Sequence, residues 1–145
     1  SFYWIAYESG SDNFHLITTD LNPATQAQQE TGTATNVVVT PGRQQFHPSA
    51  AKFWAYVTVS GGVPTLAANY NVTSITDTAT GVLTVTIATD FSSANWCCVA
   101  SASGSSRRWV VVSSQAAGTV ELTCENADGI DTDPDAWHVV GFGDQ

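Results

Sequence analysis

Apolar and polar residues alternate in short runs from His47 to the end of the chain, the period of strands half-buried on a pleated surface. Leu66, Ala68, Tyr70 and Val72 fall on one face against Ala67, Asn69 and Asn71. Leu83, Val85 and Ile87 face inward with Thr84 and Thr86 outward, and Val120, Leu122 and Cys124 alternate with Thr119, Glu121, Thr123 and Glu125. Asp77 to Gly81, Ser103 to Ser106 and Ala127 to Gly129 read as hairpin-length loops with glycine placed for positive φ. Before this block, Phe2–Tyr7 and Phe14–Thr18 read as short strands around a turn at Ser9–Asn13. Pro23–Glu30 is the one helix expected, with Asn22 as cap, Pro23 at the first helical position and Gly32 as stop. The pattern predicts an all-β chain: an antiparallel sandwich or jelly-roll-like domain of about seven or eight strands over 47–145. An extended connector with the short helix (23–46) and N-terminal strands (1–22) precede it.

One strand breaks the alternation. In Ala51–Val59, Phe53, Ala55, Val57 and Val59 make one apolar face, while Trp54 and Tyr56 make the opposite face largely apolar too. A strand covered on both sides needs a second layer, a loop of its own chain or a neighbouring subunit.

Composition sharpens the class. The 145 residues suit a core that needs no disulfide staples. With 19 Thr and 14 Ser against 12% charged residues, the chain favours β-branched strand surfaces. The net charge of −9, with Arg43, Lys52, Arg107 and Arg108 as the only strong cations, argues against nucleic acid, which needs several clustered cations. It suits a protein working outside the cell or exposed on a particle. No apolar run approaches the roughly 20 residues that span a bilayer, and no signal segment opens the chain, so membrane insertion is not expected. Methionine is absent even at position 1, which suggests a fragment or a processed product.

Candidate chemistry is sparse. Cys97 and Cys98 are adjacent, so on a strand they point to opposite faces and do not bridge each other. Three small buried hydrophobes, or a bridge from Cys97 or Cys98 to Cys124, both fit. No CxxC pair or histidine at ligand spacing points to zinc. His15, His47 and His138 are the only imidazoles, no HExxH, GxSxG or GxGxxG motif occurs, and no enzyme and no cofactor is expected. Asp128, Asp131, Asp133 and Asp135 offer four carboxylates within eight residues, a calcium candidate. The segment lacks the glycine after the third acid and the bidentate glutamate at position 12 of an EF-hand loop, and reads as a solvated acidic loop.

The stretch Ala24 to Thr33, ATQAQQETGT, closed by Val39-Thr40-Pro41-Gly42-Arg43, resembles the ATxAExxAGT…VTPG connector found near the C-termini of bacteriophage tail-fibre and related virion-fibre proteins. His47 to Trp54, HPSAAKFW, and Tyr70 to Asp77, YNVTSITD, resemble the HPSAAKAW…YNVSSITD core of the tip domain that follows such connectors. The resemblance runs from about Pro23 to Ala100, and more loosely to Gln145. Phe53 replaces a small residue of that pattern, and Gln28 an acid. The resemblance implies a non-enzymatic virion fibre tip, trimeric about a three-fold axis and associated with other virion proteins. Phe53, Trp54 and Tyr56 are then the candidates for contacts between subunits.

Three function classes follow: a fibre tip recognising a host-surface glycan or outer-membrane component, a purely structural head or tail decoration, and a secreted carbohydrate-binding module or adhesin. The connector favours the first two. For a receptor, the best local combinations of aromatic, charged and amide groups are Arg107, Arg108 and Trp109, then Asp133, Asp135 and Trp137.

Overall fold

The computed structural model describes residues 22–145 and, before them, the backbone of two short strands. The chain divides into two compact units, Ser1–His47 and Pro48–Gln145. In the first, β1 (Trp4–Ala6) pairs antiparallel with β2 (His15–Ile17), and Ile5 lies opposite Leu16. The turn expected at Ser9–Asn13 and the side chain of His15 fall outside the described residues. The helix α1 is Gln26–Thr31, later than expected. Thr25, not Asn22, caps it: the Thr25 hydroxyl accepts from the Gln28 amide, and the Gln28 side chain accepts from the Thr25 amide. This capping box satisfies two otherwise orphaned donors, an advantage Asn22 does not have. Pro23 instead bridges Val38, and Gly32 ends the helix at φ 66° as expected. A single 3-10 turn, Gln44–Phe46, precedes the second unit.

The second unit is a sandwich of two four-stranded antiparallel sheets. Its strands are β3 (Phe53–Ser60), β4 (Val63–Tyr70), β5 (Val72–Ala79), β6 (Val82–Ile87), β7 (Cys97–Ser103), β8 (Trp109–Gln115), β9 (Thr119–Glu125) and β10 (Ala136–Phe142). The first sheet has the order β4-β3-β10-β7 and the second β5-β6-β9-β8. The sandwich half of the sequence expectation holds, with eight strands from residue 47 onward among the described residues.

The alternating positions meet between the sheets. Phe53, Val57, Val85, Val120, Leu122 and Cys124 are wholly buried, and Leu83, Ile87, Trp137 and Val139 nearly so. Fully burying each such aliphatic side chain contributes roughly 1.5–3 kcal/mol. One expected strand, 66–72, is in fact two. Asn71 adopts φ 55°, and its side chain binds the Lys52 carbonyl and the Thr89 amide, both at 2.9 Å. Asparagine tolerates this left-handed conformation, so the chain leaves the first sheet at Tyr70 and starts the second at Val72. A bulge also spoils the alternation within β4: Tyr56 pairs with Ala68 but Val57 with Leu66, leaving Ala67 over. Gly61 and Gly62, at φ 60° and 79°, close the β3–β4 hairpin, as a tight turn with both central residues at positive φ requires.

The two ends of the sandwich differ. At the end where Pro48–Lys52 leads into β3, the segment between β6 and β7 folds back over the core. Phe91 and Trp96 stack there, with centroids 4.5 Å apart, and Phe53 meets both edge-on at 6.2 and 5.6 Å. Trp96 Nε1 donates to the Ala116 carbonyl at 2.9 Å, which holds the plug to the β8–β9 turn. The far end carries Gly61–Gly62, Thr80–Gly81, the β7–β8 loop and the β9–β10 loop.

Candidate functional site

Strand direction gathers most of the expected contact residues at that far end. β7 and β9 run toward it, so residues 104–108 and 126–135 both turn over there. Arg107 is exposed, and Trp109, at the start of β8, is 54% exposed. Arg108 folds back: its Nη1 donates to the Ser106 hydroxyl at 2.7 Å and to the Arg107 carbonyl at 3.2 Å. Its Nε is buried without a hydrogen-bond partner. Asp135 is exposed, and its backbone joins the two sides of the end, its amide donating to the Ser103 carbonyl and its carbonyl accepting from the Val59 amide.

Trp137 is a correction. It is 2% exposed and belongs to the core, opposite Val57 and Ala102, so it cannot touch a receptor. Phe53, at 0%, is likewise removed from the expected intersubunit set, because its ring is spent on Phe91 and Trp96. A Cβ on Gly141 would collide with that ring, so glycine there makes room for Phe53. Trp54 and Tyr56 remain outside, 41% and 37% exposed.

The acidic segment does not converge. Among the described residues no three His, Cys, Asp or Glu side chains are grouped to hold a metal ion, so Asp128, Asp131, Asp133 and Asp135 form no calcium cage. Asp133 instead braces the backbone. Its Oδ1 accepts the Gly81 amide at 2.6 Å, tying the β9–β10 loop to the β5–β6 hairpin. Gly81 is also held by the Cys124 amide donating to its carbonyl at 2.7 Å. At φ 70°, and with Thr132 N and Cys124 O only 2.5 and 2.7 Å from where a Cβ would stand, position 81 admits glycine alone. Beside this knot lies a shallow polar cleft of about 240 Å³, lined by Gly62, Asp77, Thr78, Ala79, Thr80 and Asp133. Asp77, expected in a loop, lies on β5, and the turn is only Thr80–Gly81. The Thr-Gly dipeptide before an apolar run is the local signal for that shorter turn.

The cysteines are free and unequal. Cys97 is exposed, against the expectation of a buried hydrophobe, while Cys98 packs against the core and Cys124 lies within it. Burial pushes the Cys98 thiol up to about 11, with Cys97 adding to the rise. Burial also raises Cys124, Arg108 opposes that, and Asp133, Asp131 and Glu125 reinforce it. His138 stands on the outer face of β10 with its ring 5.1 Å from that of Tyr56.

Fold and site together define an antiparallel two-sheet sandwich with a pinned, polar far end. No family model, curated protein or solved structure matches the chain.

Proposed function

We propose that this chain is the C-terminal tip region of a bacteriophage virion fibre, a non-enzymatic homotrimer. On this reading it sits exposed on the particle, contacts other virion proteins, and meets a host-surface glycan or outer-membrane component through its far-end loops. The reading rests on the resemblance of the connector and of the HPSAAKFW and YNVTSITD segments. One structural observation supports it most: Arg107, Trp109 and Asp135 lie exposed at the end of the sandwich away from Pro48–Lys52. A fibre whose shaft leads in at Pro48 would present that end to a surface. Exposed aromatic and guanidinium groups are suited to stacking on sugars and binding their acidic substituents.

A purely structural decoration is the second reading. It is favoured by the engagement of Arg108 within its own loop and of Asp133 with the backbone of the β5–β6 hairpin. Virions carrying the double substitution Arg107→Ala/Arg108→Ala separate the two. Receptor recognition expects adsorption to host cells to fall about tenfold or more, the loss of roughly 1.4 kcal/mol of contact. Unchanged adsorption with assembly intact removes this loop as the receptor site.

A further inference from the structure

The first sheet contains no Asp, Glu, Lys or Arg in any of its four strands, in a chain that carries 13 carboxylates. Its outer surface is apolar in a continuous row. Tyr70 lies opposite Trp54, Trp54 opposite Val140, and Val140 opposite Val99. Tyr70 is 47% exposed, Trp54 41% and Val99 54%. The next row adds Tyr56 and His138, whose rings are packed together. Four strands at their usual spacing make this row about 15 Å wide. Scattered exposed apolar residues need no explanation, but a contiguous set of this kind marks an interaction surface.

We propose that this outer face is the surface on which copies of this chain pack against one another. The proposal rests on the oligomeric part of the function proposed above and is independent of its receptor part. Charge selects the occupant. Copies that each carry −9 repel wherever carboxylates are brought together, and these four strands bring none. A glycan platform would also use Trp54 and Tyr70. However, the row continues into Val140 and Val99, which offer nothing to a hydroxyl-rich ligand and instead suit a protein interface core, where aromatic groups are enriched and charges depleted.

The test uses the full chain, with mass followed against concentration by sedimentation or light scattering. The parent is expected to associate, and Val99→Lys to weaken association at least tenfold while the thermal transition of the fold stays in place. Val111→Lys, on β8 of the other sheet, is the control and keeps the parent's behaviour. Cys97 gives a second readout, since it lies two residues from Val99 on the same face. It should react more slowly with a maleimide in the associated parent than in Val99→Lys. If Val99→Lys fails to fold, Tyr70→Ser replaces it. A parent that stays monomeric, or a Val99→Lys chain that keeps the parent's mass, overturns the proposal. Loss of binding to host polysaccharide in Trp54→Ala, with a monomeric parent, would assign the face to a glycan instead. Cell adsorption by the parent in any of these cases leaves the receptor reading standing.

Discussion

The two sheets share a core but turn unlike surfaces outward. The second sheet is carpeted with hydroxyl groups: Thr76 and Thr84 lie side by side, Thr84 faces Glu121, and Thr86 faces Thr119. Thr78 and Thr84 share a hydrogen bond of 3.2 Å, as do Ser113 and Thr123 at 2.9 Å. Its exposed apolar residues gather on the edge strand β8, as Trp109, Val111 and Val112. The first sheet instead places aromatic and aliphatic side chains across its middle strands, where no charge interrupts them. A hydroxyl surface satisfies its own groups and stays in water, whereas the aromatic one is left with area to bury. On the proposal above, one face of the sandwich is finished by solvent and the other by a partner.

The largest effect that sharpens this contrast lies within the first sheet. Trp137 and Trp54 occupy neighbouring strands but opposite faces, so their truncations should differ widely. Trp137→Ala is expected to cost about 3–5 kcal/mol of folding stability by urea denaturation, as for other buried aromatics. Trp54→Ala in the dilute chain should cost well under that and reduce assembly instead. Equal losses of stability would mean that the outer face is structural.

A smaller effect comes from converting the second face toward the first. Replacing Thr84 and Thr86 with Val leaves strand propensity in place and removes hydroxyls from the middle of the sheet. The expected outcome is a change in folding stability of about 1 kcal/mol or less together with new, larger assemblies by light scattering. A chain whose mass is unaffected would show that apolar character alone does not make a face associate.

The smallest effect concerns the thiols of β7, one on each side of the first sheet. Cys97, on the outer side, should be the fast-reacting thiol of the unassociated chain, and Cys97→Ser should abolish rapid labelling. Cys98 should stay protected at neutral pH, because its raised pKa leaves little of the reactive thiolate. The sign for stability follows from the same shift. The folded state holds the Cys98 proton more tightly than the unfolded chain, so this contribution is complete below pH 9 and is lost as pH rises toward about 11. A urea series across that window should show stability falling in the parent and falling less in Cys98→Ala.

Much of the sandwich was legible because the period of two is a local signal. The alternations at 83–87 and 119–125 became β6 and β9 with their inward residues as read. The two-sided strand was also legible, since Trp54 and Tyr56 sit at the outward parity of a strand whose other face is apolar. The expected contact residues proved harder. Trp109 and Trp137 lie near the starts of their strands, beside Arg and Asp loops, and look alike in sequence. One is 54% exposed and the other 2%, because Trp109 shares the outer face of β8 with Val111, while Trp137 takes the inner face of β10 opposite the buried Val57.

Local chemistry determined the strands, the turns with glycine at positive φ, the Thr25–Gln28 capping box and the scarcity of positive charge. Each depends on residues a few positions apart, whose spacing and conformational preferences are written in the chain. Tertiary structure alone decided which strands share a sheet, that Asn71 divides one apparent strand into two, and that Phe53 and Trp137 belong to the core. It also bound Asp133 to Gly81 and lined up Tyr70, Trp54, Val140 and Val99 in one row. Those outcomes depend on pairings between segments as far apart as β3 and β10, and a neighbour that distant leaves no periodicity in the sequence to announce it.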